Sequence, residues 1–157
     1  MIENGKKEIQ HLTGVTPKSF RAPFYLHNSK TLKALFNLGF GFDSSKGVFK
    51  PAHITKFRFQ AMSTPKSFKV NGILEVPVTG DYTYKLNKMG VDTALEIALK
   101  DYNMVKKNNG IFVMNNHPNI SNLDALFSFL KIFVSKVSNE TQFIRLKDAG
   151  NSLTKPE

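Results

Sequence analysis

Four short runs constrain this chain most: Phe20-Arg21-Ala22-Pro23-Phe24, Gly41-Phe42-Asp43-Ser44-Ser45, Leu74-Glu75-Val76-Pro77-Val78 and Val113-Met114-Asn115-Asn116-His117-Pro118. Each is strand-like and breaks off at a polar or ionisable residue, and three of the four have proline beside it. Proline cannot donate to a sheet ladder, so it marks where a strand stops. Charged groups gathered at strand ends have the pattern of a site.

Helical stripes alternate with these runs. Residues 2–12 are predicted to form a helix ending at Gly14, with Ile2, Ile9 and Leu12 as its apolar face. After a strand at 18–24, Asn28 or Ser29 caps a helix in which Leu32, Leu35 and Phe36 share a face and Gly39 ends it. A strand at 40–44 follows. The stretch 46–70 has prolines at 51 and 65 and no helical period, and is predicted to be a long irregular loop or insertion, with one edge strand near Lys56 to Gln60. A strand at 73–78 leads to a helix capped by Asp92, with Leu95, Ala98, Leu99, Tyr102 and Val105 as its stripe and Asn108-Asn109-Gly110 as its stop. Strand 111–115 precedes a helix in which Ser121 and Asp124 have capping-box spacing. Its predicted buried stripe is Leu123, Leu126, Phe127, Leu130, Val134 and Val137, and the spacing of Phe127, Phe129 and Phe133 also reads as core packing. A last strand is predicted at 142–146. Strands alternating with helices predict an α/β fold with a mostly parallel sheet, in which chemistry collects at the C-terminal strand ends. Arg21, Asp43, Glu75 or Asp81, and His117 all fall there.

Composition bounds the chemistry. With 157 residues, 41% of them hydrophobic, the chain is read as a single domain. It has no cysteine, so any metal would need His, Asp or Glu. The 22 basic residues against 12 acidic ones give a formal charge of +10 that would attract polyanions. The lysines are scattered, however, and no arginine-rich arm or nucleic-acid motif accompanies them, so a solvated basic surface is expected and no specific nucleic-acid partner. Residues 1–7 lack the apolar core of a signal peptide, so a cytoplasmic location is expected if the chain is complete. The most apolar stretch, Leu123 to Val134, falls short of the ~20 residues needed to cross a bilayer.

From about Ile2 to Leu146, the order and wording of these segments resemble the second half of the polysaccharide deacetylases of carbohydrate esterase family 4, which remove acetyl groups from N-acetylated sugars. The resemblance implies the C-terminal part of a distorted (β/α) barrel, incomplete in this chain. It implies that Arg21 in Arg21-Ala22-Pro23-Phe24 orients a catalytic carboxylate, that the Phe24 amide holds the oxyanion, and that His117 is the general acid. It also places Glu75 where an acidic residue tunes that histidine, with Asp81 as the rival, and sets Pro23 and Asp81 beside the substrate; His27, three residues beyond Phe24, is read from its position as a residue lining the cleft. Asp43 is expected to be structural, capping the turn after it.

In the family, a divalent, zinc-like metal is held by one Asp and two His, and a second Asp is the base. The paired aspartates and the two histidines three residues apart should precede Arg21, and the 20 residues before it contain neither. No metal site is therefore expected in this chain. A deacetylase-like hydrolase inactive on its own is predicted, with an N-acetylated glycan as substrate. The expected partner is a separate N-terminal half, or another copy through open sheet edges. The alternative is a non-catalytic glycan-binding or assembly subunit, and a polyanion-binding module rests on net charge alone.

Overall fold

The computed structural model describes residues 1–48, 65–119 and 122–150. Six short strands and four helices follow in the order α1 (Ile2–Thr13), β1 (Ser19–Phe20), α2 (Ser29–Asn37), β2 (Phe42–Asp43), β3 (Phe68–Val70), β4 (Ile73–Glu75), β5 (Gly80–Asp81), α3 (Thr83–Lys107), β6 (Met114–Asn115) and α4 (Leu123–Val137). Strands β1, β2 and β4 are parallel neighbours, with Phe20, Asp43 and Glu75 in one register row, and β3 lies antiparallel on the far side of β4. Strands β5 and β6 form a second parallel pair. The segment 73–81 joins the two: Val78 donates to the Lys46 carbonyl at 2.8 Å, and Thr79 donates to Val113 at 2.8 Å. The fold is therefore α/β and mostly parallel. Among the described residues the sheet is open and no pairing closes it into a barrel.

Local chemistry explains the elements. Asn28 accepts from the Thr31 N–H at 3.0 Å while Thr31 reaches back to the Asn28 N–H, a reciprocal cap that starts α2. Gly39, at φ 72°, ends it in the left-handed region. Helix α2 buries Leu32 and Leu35 against Phe40 and Ile73, but Phe36 points outward. Helix α1 buries no residue fully; Ile2 packs on this cluster and Lys6 donates to the Leu38 carbonyl.

The second core is aromatic. Tyr82, Tyr102, Phe129 and Phe133 are buried between α3 and α4, and Phe112 stacks on Phe133 with ring centroids 5.3 Å apart. Helix α3 starts at Thr83, nine residues before the predicted cap at Asp92. Its path breaks at Gly90 (φ 80°, ψ 176°), so the predicted start coincides with the restart after that kink.

Four expectations need correction. The buried stripe of α4 is Leu126, Phe129, Phe133 and Val137, whereas Phe127 is 65% exposed and Leu123 and Val134 are also exposed. Both stripes satisfy helical spacing, and packing against α3 selects between them. The cap of α4 is Asn122, which accepts from Ala125 N–H at 3.1 Å; Ser121 lies outside the described residues. Residues 142–146 form no strand, and a 3-10 turn begins at Leu146. The irregular reading of 46–70 also missed β3, which pairs with β4 through an Asn71-Gly72 turn with φ 49° and 76°. That dipeptide is a strong hairpin signal. The edge strand predicted at 56–60 lies outside the described residues.

Candidate active site

The ends of β1, β5 and β6 bring three of the sequence-predicted residues together. Asp81 closes β5 and Asn115 closes β6, in register with each other. His117 lies two residues beyond, and its backbone N–H donates to Thr83 Oγ1 at 2.7 Å, which ties it to the first turn of α3. Its ring Nε2 is 2.8 Å from Asp81 Oδ2. The same Nε2 is 3.1 Å from the Asn115 amide nitrogen, and because a carboxylate only accepts, a proton carried on Nε2 is directed at Asp81. The second Asp81 oxygen accepts from Thr83 N–H at 3.2 Å. The imidazole is partly open to solvent, with a side-chain exposure of 46% against 13% for Asp81.

Asn115 carries this pair to Arg21. Its amide nitrogen lies 3.2 Å from Asp81 Oδ2, and its oxygen accepts from Arg21 Nη1 at 2.9 Å. Arg21 donates from Nε to the Ser44 carbonyl and from Nη2 to Ser44 Oγ, both at 3.0 Å. Ser44 is fixed in turn, because its hydroxyl donates to the Val76 carbonyl at 2.7 Å. Burial works against the charge on Arg21, while Tyr25, Asp43, Asp81 and Glu75 favour it. The guanidinium is thus a fixed cation, held by β2 and β6 together.

Pro23 opens a 3-10 turn, Pro23–Tyr25, two residues after Arg21. Phe24 and Tyr25 take φ of 54° and 60°, in the left-handed region that aromatic residues seldom occupy. Phe24 is 71% exposed, whereas Tyr25 is buried. Burial first, then the charge of Asp81, pushes the Tyr25 hydroxyl up to about 12, so it stays protonated beside the network. His27 turns back on this segment, its Nδ1 3.1 Å from the Tyr25 carbonyl.

Glu75 does not join His117. It is fully buried beside its register partner Asp43, and its Oε1 accepts from Lys46 N–H at 3.0 Å. Asp81, the rival acid, meets the histidine instead. The reason is register: Glu75 shares a row with Asp43 and Phe20, whereas Asp81 leaves the next strand pair beside Asn115. Asp43 has the structural role expected of it, accepting from Ser45 Oγ at 2.6 Å. Ser44 and Asn115 are functional-site candidates that sequence reasoning missed as contacts. Asn115 and His117 are two apart at a strand end, and the period of two that puts such residues on one side was a usable signal.

Among the described residues, no group of three or more His, Asp or Glu side chains is placed to hold a metal ion. The residues described do not fit the metal that the resemblance implies. Among them, too, no helix is long and apolar enough to cross a membrane.

No protein-family model matches the sequence, and no curated protein matches it. A solved structure does: that of a "putative polysaccharide deacetylase" from Mycobacterium smegmatis superposes with a TM-score of 0.65 at 23% sequence identity, over 87% of this chain. The match covers 48% of the Mycobacterium smegmatis protein, so the chain spans about half of its length. At that identity the likeness concerns architecture, and this chain has a polysaccharide deacetylase-like fold.

Proposed function

We propose that this chain supplies the acid and positioning part of a polysaccharide deacetylase-like hydrolase that removes acetyl groups from N-acetylated glycans. One observation carries the reading: His117 Nε2 lies 2.8 Å from Asp81 Oδ2 at the strand ends of a deacetylase-like fold. Asp81 fixes the ring orientation and stabilises the imidazolium that forms when the ring holds the proton to be transferred. Amide hydrolysis adds water to the acetyl carbonyl and then breaks the C–N bond. His117 delivers the proton that lets the amine leave, and acetate is the second product.

Arg21 orients the reacting carboxylate of the complete site, and the Phe24 amide faces the oxyanion of the tetrahedral intermediate. Pro23 and His27 shape the sugar-facing rim. Glu75, paired with Asp43 and apart from His117, takes no step in the reaction. The attacking water has no activator among these residues, so the Asp and His ligands of a divalent metal and the base come from outside them, on the same polypeptide or on another. The chain alone is then inactive.

Acetate release from an N-acetylated oligosaccharide tests this. The assay uses the chain alone, the metal-stripped chain, and the chain mixed with a polypeptide carrying the paired aspartates and the two histidines. Release is expected in the mixture and lost with His117→Ala. Release by the unmixed, metal-stripped chain overturns the proposal. Binding of the oligosaccharide without release in the mixture favours the alternative, a glycan-binding subunit.

A further inference from the structure

Behind Arg21, on the row occupied by Phe20, lies a buried pair of carboxyl groups to which the reaction above gives no step. Asp43 and Glu75 are register partners on parallel neighbouring strands, and both are fully buried. Each has one oxygen accounted for. Asp43 Oδ1 accepts from Ser45 Oγ at 2.6 Å, and Ser45 Oγ accepts from Ala22 N–H at 2.8 Å. Glu75 Oε1 accepts from Lys46 N–H at 3.0 Å. The other two oxygens, Asp43 Oδ2 and Glu75 Oε2, are buried and have no hydrogen-bond partner among the described residues. An orphaned carboxylate oxygen in the interior is costly, and two such charges side by side repel. A single proton between them removes both costs, because it turns two orphan acceptors into one donor and one acceptor.

We propose that Asp43 and Glu75 hold one proton between them, and that this pair is a pH-sensitive latch on the Ser44–Lys46 segment that anchors Arg21. The pair touches that segment at two of its three residues, through the Ser45 hydroxyl and the Lys46 N–H, and Ser44 between them and Asp43 supplies two of the three acceptors of Arg21. The cations acting on the pair are Lys46, from the end of β2, and Arg21, from the end of β1. Helix α2 turns Leu32 and Leu35 toward β4, with Lys30 and Lys33 exposed, and Lys69 of β3 is exposed as well. Burial, followed by the neighbouring Asp43, pushes Glu75 from 4.5 up to about 7.

Folding therefore takes up a proton that an unfolded glutamate would have lost above about 4.5. Stability contributed by the protonated pair is complete below that value and declines as the pH rises through about 7. Above it the two charges push β2 and β4 apart at the residues that fix Arg21.

The test is a carbon-detected NMR titration of the Glu75 carboxyl in the whole chain, paired with melting curves from pH 5 to 9. The expected Glu75 midpoint lies near 7, and Asp43→Asn, whose amide can donate to Glu75 Oε2, moves it down toward the ordinary range. The wild-type Tm falls by roughly 5 °C across the window, and Glu75→Gln removes that fall. The Arg21 Nε–H resonance moves in the same window in the wild type and not in Glu75→Gln. A Glu75 midpoint near 4.5 overturns the shared proton, as do parallel melting curves for wild type and Glu75→Gln. A still Arg21 resonance while Glu75 titrates overturns the latch. None of these readouts depends on deacetylation, so they stand or fall apart from the proposed activity.

Discussion

Two centres that each contain an aspartate lie at strand ends and obey opposite physics. At the Asp81–His117 centre, every partner has a complement: a carboxylate meets an imidazole, an amide joins both to a guanidinium, and solvent reaches the ring. At the Asp43–Glu75 centre, two carboxyl groups face each other in the dry interior with one oxygen apiece unsatisfied. In the first arrangement the charges are compensated at a solvent-facing strand end, as the proposed acid role requires. The second couples its proton to strand pairing. Proximity to a charge does not by itself make a catalytic acid; what matters is whether the proton can leave without disturbing the fold.

Substitutions separate the two centres by the size of their effects. Arg21 is common to both, and replacing it by Met strands three acceptors and removes a cation that acts on Asp43, Glu75 and Asp81. A loss of about 3 kcal/mol is expected by chemical denaturation, with Arg21→Lys recovering only part because an ammonium lacks the planar fork. If Arg21→Met costs under about 1 kcal/mol, the network is not what holds β1 to β2 and β6.

Asp43→Ala should follow, at about 2–3 kcal/mol, because it removes the acceptor of the Ser45 hydroxyl proton and leaves space beside a buried Glu75. Asp81→Asn keeps the acceptor for Thr83 N–H but loses the charge facing His117, so about 1 kcal/mol is expected. Equal losses for the two aspartates in denaturation would erase the contrast between a buried and a solvated centre. The smallest effect belongs to His117→Ala, at under about 1 kcal/mol, since the ring is half-exposed and its pairing is solvent-screened. Its melting curve should nearly overlay the wild type even where acetate release is lost. A large drop in stability would instead make the histidine a structural residue.

Much of the fold was readable from local patterns. Asn28 and Gly39 bound α2 as their chemistry predicts, and Leu32 and Leu35 are in the core. The strand ends at Arg21, Asp43, Glu75 and Asn115 lie where polar residues interrupt apolar runs. The failures have physical causes. Helix α4 offers two apolar faces of equal periodicity, so spacing could not tell Phe129 from Phe127. The run at 142–146 looks strand-like, but strand formation needs a neighbour to accept its hydrogen bonds, and none is supplied among the described residues. Helix α3 extends back through Gly90 because the buried side chains of Tyr82 and Leu86 hold its first turns in place despite the kink.

The sequence alone determined which residues end strands, where helices stop and which side chains carry ionisable groups, because caps, turns and proline act within a few residues. Only the tertiary structure decided that Asp81 rather than Glu75 meets His117, that Asn115 bridges to Arg21, and that Asp43 and Glu75 share a dry interior. Those pairings depend on strand register and on which side of a sheet a residue faces, and a one-residue change in register reverses the second without altering any local pattern.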